Sequence, residues 1–356
     1  MKNLVKQSLM VFKNWQLRNS LRDNTADSNL SQIGQDKQAV WSLIAALKDE
    51  HQRYDAVIAL GNLGKTAEVA APALIELLHE GDATLRINTI ESLCKIGSEA
   101  KTIPSLITAL EDSSKQVRAT AAFALGCFQA KARIAVEPLI ISLQDSDEWV
   151  RAKAVEALSH IRDPKATIPL IIALNDEYPG VRAKAALALP NIASPNVAVP
   201  ALIAALIDKD ARVRAAVADA LGMFGPESII VSVETAPVLI NALEDSDLYV
   251  QINAAKALIK IGLHIEKSMN VLMEMLEKED VSVRVTTALN LGIISVYFQD
   301  KANYLSVLEL EQIIYNLETV SYLLETDNNL DAAQFALFSV NNTLSLLKKE
   351  RKNRNA

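Results

Sequence analysis

Small and apolar residues recur along the chain in blocks of nearly constant phase. VRATAAFAL starts at Val117, VRAKAVEAL at Val150, VRAKAALAL at Val181 and VRAAVADAL at Val213. Looser copies start at Leu85, Val250 and Val283, and an N-terminal copy, QRYDAVIAL, surrounds Arg53. The arginine falls at 53, 86, 118, 151, 182, 214 and 284, with Gln251 in its place once; the intervals are 31 to 33 residues except for one of 37. Each block follows an apolar segment that opens on Pro72, Pro104, Pro138, Pro169, Pro200 or Pro237, and a polar turn with an acid, such as Asp112 or Asp145, joins the two. Apolar residues three and four apart make one stripe per segment, which predicts an amphipathic helix for each. The unit therefore reads as helix, tight turn, helix. Proline is cheap in a first helical turn, and Asp or Ser in the polar turn is expected to cap the second helix. One such pair cannot bury its stripe alone, whereas stacked pairs can.

Residues 1–22 carry Leu4, Val5, Leu9, Phe12 and Trp15 against Lys2, Lys6, Lys13 and Arg18. This basic amphipathic helix has two readings: a cap on the first repeat, or a segment for a membrane surface or partner. Residues 23–37 read as a polar loop. Residues 302–348 leave the repeat and read as two longer antiparallel helices, and the basic end, residues 349–356, as a disordered tail. The expected organisation is thus 1–38 N-terminal helix and loop, 39–294 repeats, 295–348 helical cap, 349–356 tail. The 37-residue interval places extra residues at 226–236, as a loop insertion at a binding edge or as added helix packing. Pro190 should bend or shorten its second helix.

The residues quoted resemble the HEAT-repeat family, specifically its short phycobilisome-lyase-like subclass, over about residues 39–294 as eight units. The resemblance implies an all-α, right-handed α-α superhelix of about eight helical pairs with helical caps at both ends. It also implies a ladder of hydrogen bonds between adjacent repeats, with Asp112, Asp145, Asp176, Asp208 and Asp245 on one side. Arg86, Arg118, Arg151, Arg182, Arg214 and Arg284 form the other side. Gln251 in place of Arg, Asn270 in place of Pro and Lys278 in place of the acid predict a ladder broken near 251 and near both ends.

In this family the second helices line the concave face. With the arginine as position 1, positions 4 and 8 are small or Leu and expected to be buried; positions 3, 6 and 10 then face the groove. They read Thr120, Phe123 and Cys127; Lys153, Glu156 and His160; Lys184, Leu187 and Asn191; and, in the next unit, Asp219 and Met223 after Ala216. Large apolar residues among charges suit a protein-binding groove, although Phe123 and Leu187 could instead lean into the next repeat as core.

Little else carries chemistry. His51, His79, His160 and His264 fall at no metal-ligand spacing, and there is no H-E-x-x-H, C-x-x-C, phosphate-binding glycine loop or nucleophile elbow. No cofactor or metal is therefore expected, and no catalytic residue. Two cysteines, Cys94 and Cys127, suit a reducing cytoplasm. A net charge of -7 disfavours a general affinity for nucleic acid or anionic membrane, the 1–22 helix aside. No stretch is expected to cross a bilayer. The reading is a cytoplasmic, non-catalytic scaffold that holds another protein on its concave face. Two alternatives follow from resemblance. One is a phycobilisome-lyase-like protein that binds, attaches, removes or chaperones a bilin, with Lys153, Lys184 and His160 toward its polar groups. The other is a sensor or adaptor working with a separate NTPase.

Overall fold

The computed structural model describes residues 38–225, 229–326 and 331–354. Every regular element among them is helical, and none is a strand. Two compact units divide the chain at Pro169 and Leu170. The expected N-terminal helix and polar loop, residues 1–37, lie outside the described residues.

In the first unit the second helices are Arg53–Leu63, Ala83–Ile96, Lys115–Cys127 and Glu148–Ile161. Each packs on the next through its small residues, and each is preceded in sequence by its first helix: 38–46, Ala71–Glu76, Glu99–Ala109 and Val136–Ser142. Leu60, Leu74, Leu93, Leu106, Leu125, Leu139 and Leu158 are fully buried. Each such side chain contributes about 1.5–3 kcal/mol. Close approach depends on Gly126: a Cβ built there would lie 2.9 Å from the Ala157 Cα.

In the second unit Pro179–Ala188, Ala211–Met223, Leu248–Lys260 and Val281–Lys301 pack in the same succession. Pro195–Ala205, Ile229–Ala242 and Ile265–Leu276 are the first helices. Pro190 ends its second helix at Ala188, leaving 10 residues where Ala211–Met223 has 13, and a 3-10 turn, Leu189–Asn191, follows. The missing N–H and the ring's clash with the preceding turn account for this. The unit closes with Val307–Thr326 and Asp331–Arg354, packed on each other.

Four expectations are corrected. Pro104, Pro200 and Pro237 sit inside helices rather than in a first turn, because those helices start earlier. Before Pro72 and Pro138 the chain instead kinks into 3-10 turns, at Ala67 and Ala132. Of the two readings of the long interval, added helix packing holds for residues 229–236, which lengthen the first helix Ile229–Ala242, while 226–228 lie outside the described residues. The last repeat helix runs through 294 to Lys301, and Thr343 Oγ1 of the terminal helix donates to the Ser295 carbonyl at 3.1 Å. The basic end is not a disordered tail up to residue 354: Arg354 donates to the Ala302 carbonyl at 2.7 Å and to that of Leu305, and it pairs with Glu350 at 2.8 Å. These bonds satisfy carbonyls at a helix end and anchor the last turn. Finally, Val281–Lys301 is long and apolar enough, by length and composition alone, to cross a membrane. Half of its apolar window is buried inside the protein, as in a core helix.

Candidate functional site: a ladder of ion pairs beside an exposed band of second-helix residues

The turn between the two helices contains two separate devices. Asp112, Asp145, Asp176, Asp208 and Asp245 each accept the backbone N–H two residues on, from Ser114, Asp147, Tyr178, Asp210 and Asp247. These are Asx turns, which shape the corner. Capping falls to the residue two further along: Asp147, Asp210 and Asp247 accept from the first N–H groups of their helices, and Asp82 and Asp280 do the same in their own turns. Capping by a short acidic residue satisfies orphan donors at the positive helix end.

Asp112, Asp145, Asp208 and Asp245 each meet a guanidinium as well. In the first unit Arg86 makes two parallel bonds to Asp112, at 2.7 and 2.8 Å, and Arg118 does so to Asp145 at the same distances. In the second unit Arg182 grips Asp208 (2.7 and 2.8 Å), and Arg214 grips Asp245 (2.8 and 2.7 Å). The remaining guanidinium nitrogen turns back into its own repeat. Arg86, Arg118, Arg151, Arg182, Arg214 and Arg284 donate to the carbonyls of Gly81, Asp112, Asp145, Asp176, Asp208 and Lys278. One arginine thus ties its own turn to the next repeat's turn, using the fork geometry that lysine lacks.

Gln251 keeps the inner half of this arrangement, donating from Nε2 to the Asp245 carbonyl at 2.7 Å. An arginine there would reach toward the position where the following repeat has Lys278 instead of an acid, so the two departures compensate each other. At the N-terminal end, Arg53 Nε is buried without an acceptor among the described residues.

Burial pushes the Asp112, Asp145 and Asp208 carboxyls upward, but hydrogen bonds from their arginines and from backbone N–H groups, together with the guanidinium charge, outweigh it. For Asp245 the Arg214 hydrogen bond is the largest influence, and it too is held low. Groups depressed in the folded state contribute stability that is fully present above the unfolded value of about 3.9 and is lost as pH falls through the lower folded value. Thermal unfolding followed by circular dichroism is therefore expected to show a constant midpoint from neutrality to about pH 5 and a steep fall below about pH 4. Asp145→Asn, which keeps an acceptor but not the charge, should shallow that fall.

Beside the ladder, the second helices alternate between core and solvent. Positions 4 and 8, namely Ala121 and Leu125, Ala154 and Leu158, Ala185 and Leu189, and Val217 and Leu221, are all buried. Phe123, Cys127, His160, Leu187, Asn191 and Met223 are exposed, while Thr120, Lys153, Glu156, Lys184 and Asp219 are half-buried. Some of these side chains meet. Lys153 Nζ stands 5.0 Å above the Phe123 ring and 2.7 Å from Glu156, so one cation serves a π-face and a carboxylate. Asp219 pairs with Lys256 of the following second helix at 2.9 Å.

Sequence reading missed Lys256, and with it Lys115–Asp147 (2.8 Å) and Arg133–Asp163 (2.7 Å). These join residues about one repeat apart. The period was a usable signal, and Asp219 and Lys256 even share repeat position 6, but no residue type recurs at these positions to mark the pairing. Neither cysteine is a ready nucleophile. Burial pushes the Cys94 thiol up to about 12, and it also raises that of exposed Cys127. Among the described residues no group of three His, Cys, Asp or Glu is placed to hold a metal ion.

Two solved structures are among those similar to the chain. The complex of CpcE and CpcF of phycocyanin lyase from Nostoc sp. PCC7120 is 24% identical with a TM-score of 0.46, over 68% of this chain and 94% of that one. The Escherichia coli protein YibA is 21% identical with a TM-score of 0.48, over 82% of this chain and 97% of that one. No curated protein matches the sequence. The family profile of the PBS lyase HEAT-like repeat matches residues 52–80. That of HEAT repeats matches residues 103–189, 167–231 and 230–292, which together span more than half of the sequence. With helical pairs in succession and arginine-aspartate pairs linking their turns, the chain belongs to the HEAT-repeat family, an all-α solenoid fold.

Proposed function

We propose that this protein is a non-catalytic scaffold that captures partner protein on the second-helix residues of each unit that the family resemblance places on the concave side. The carrying observation is the division within those helices: positions 4 and 8 are spent on the core, whereas in the first unit Phe123 remains exposed next to half-buried Lys153, and in the second Leu187 and Met223 remain exposed, Leu187 one turn from half-buried Lys184. Exposed large apolar groups with a charged border form the usual centre and rim of a protein contact. The absence of a hydrolytic, phosphate-binding or metal-binding motif from the sequence is in keeping with this reading.

Phe123→Ala combined with Lys153→Glu and Lys184→Glu is the direct test. Removing an aromatic anchor and reversing two charges should reduce capture of co-purifying partners from the source cell at least about tenfold. The helical circular dichroism should persist, since substitutions away from the core cost about 0.5 kcal/mol or less each. Undiminished capture overturns the reading.

The PBS lyase HEAT-like match at 52–80 favours a second reading, a protein that handles a bilin. Mixing the chain with free bilin and recording a shifted absorption band, absent in a Lys153, Lys184 and His160 triple alanine variant, tests it.

A further inference from the structure

Repeat positions 6 and 10 continue beyond Met223 into the two following second helices of the second unit. Position 6 there reads Asp219, Lys256 and Leu289; position 10 reads Met223, Lys260 and Ile293. Leu248–Lys260 packs against Ala211–Met223 on one side and Val281–Lys301 on the other, so the three rows are neighbours. In the position 6 row the charges are settled: Lys256, only 7% exposed, is bonded to Asp219 at 2.9 Å. The position 10 row is not settled. Lys260 is half-buried and has no carboxylate within ion-pair distance among the described residues. Burial and the adjacent Lys256 both disfavour its charge, with Asp219 acting weakly the other way.

Apart from Lys256 and Asp219, the exposed residues at the matching positions of the two flanking helices are apolar. Met223 is 43% and Ile293 50% exposed, and Leu289 and Val296 are exposed on the same side of Val281–Lys301, four residues before and three after Ile293. A cation kept partly from water gains most from an anion that arrives already desolvated by aliphatic neighbours.

We infer that Lys260, with Met223, Leu289, Ile293 and Val296 around it, is the anchor point for a partner-protein segment that presents a carboxylate flanked by aliphatic side chains. The inference rests on the protein-binding reading above and adds the chemistry of the partner and its place in the second unit. A membrane surface fits less well: a single cation offers little to anionic lipid, which polybasic patches bind, and half of the apolar window of Val281–Lys301 is committed to the core.

The experiment is selection of a random peptide library on the immobilised full chain, followed by affinity measurement of the enriched peptides by fluorescence anisotropy. Enriched peptides should share an Asp or Glu next to Leu, Ile or Val. They should lose at least about tenfold in affinity on Lys260→Glu and on Ile293→Asp, keep most of it on Lys260→Arg, and weaken when their own acid becomes the amide. Circular dichroism checks that the variants fold. Peptides without an acid, no enrichment, or indifference to Lys260→Glu overturns the inference. So does binding of phosphatidylserine-containing vesicles that peptide does not displace. Peptides that ignore Lys260 but fail on Phe123→Ala would overturn this inference and leave the wider protein-binding reading standing; peptides that ignore both would remove the two together.

Discussion

Replacing Asp145 by alanine is expected to destabilise the protein by about 2–3 kcal/mol. Three contacts go at once: two bonds from Arg118 and the Asx-turn bond from the Asp147 N–H. The Arg118 guanidinium, only 15% exposed, would be left without its counterion, and an uncompensated buried charge costs more than the pair had contributed. Asp145→Asn separates the parts, since its side-chain oxygen can still accept from Asp147. About half of the loss is expected there. Because repeat arrays are stabilised by nearest-neighbour interfaces, the chemical denaturation curve of the alanine variant should also broaden, as the repeats on either side of Asp145 lose their link. A sharp curve displaced by less than about 0.5 kcal/mol would show that the ladder is ornamental for stability.

Gly222→Val should be more severe, at about 3 kcal/mol or more. Gly222 lies near the end of Ala211–Met223, where a Cβ would stand 2.7 Å from the Ala257 Cα and 2.8 Å from its Cβ. Two effects compete in the milder Gly222→Ala. Alanine gains about 1 kcal/mol of helix propensity over glycine, but the overlap is with backbone, which cannot rotate away, and overpacking of this kind costs about 1–3 kcal/mol. The clash wins narrowly for alanine and decisively for valine, whose second and third carbons add to the overlap and whose branching gains nothing in a helix. Gly97 provides the contrast. Nothing lies within 4 Å of a Cβ there, and its φ of 77° is the reason for the glycine. Gly97→Ala should therefore cost only the strain of a left-handed residue, about 1 kcal/mol. Thermal melts of the three variants, ranked Gly222→Val, Gly222→Ala and Gly97→Ala from lowest to highest midpoint, test the ordering. A Gly222→Val melt equal to wild type would mean that the second helices do not approach as closely as the structure shows.

The proline positions show where sequence reasoning stopped short. Pro at a regular place marks a helix boundary by a local rule, and the chain obeys it at Pro72, where a 3-10 turn precedes the helix. At Pro104 and Pro200 the same residue lies in the sixth position of an 11-residue helix. Packing of the preceding turn against a neighbour, with Thr102 and Ile103 or Ala198 and Val199 buried, outweighs the one lost hydrogen bond. The basic end illustrates the same limit. Its composition reads as solvated tail, yet the carbonyls that hold Arg354 belong to Ala302 and Leu305, about 50 residues earlier, which no local pattern reveals.

The sequence by itself determined the repeat, the succession of helix, turn and helix, the burial of positions 4 and 8, and which residue types stand at the ladder positions. Those features are periodic or local, and helix formation, turn chemistry and burial respond to spacing within a few residues. Only the tertiary structure decided which charges meet across the interval between repeats: Lys153 over Phe123, Lys256 on Asp219, and Lys260 without an ion pair among the described residues. Two helices with the same pattern can pack at different relative phase, and a shift of a few ångströms exchanges one ion pair for another. That phase is fixed by close contacts such as Gly222 on Ala257, which are properties of two surfaces and not of either sequence segment alone.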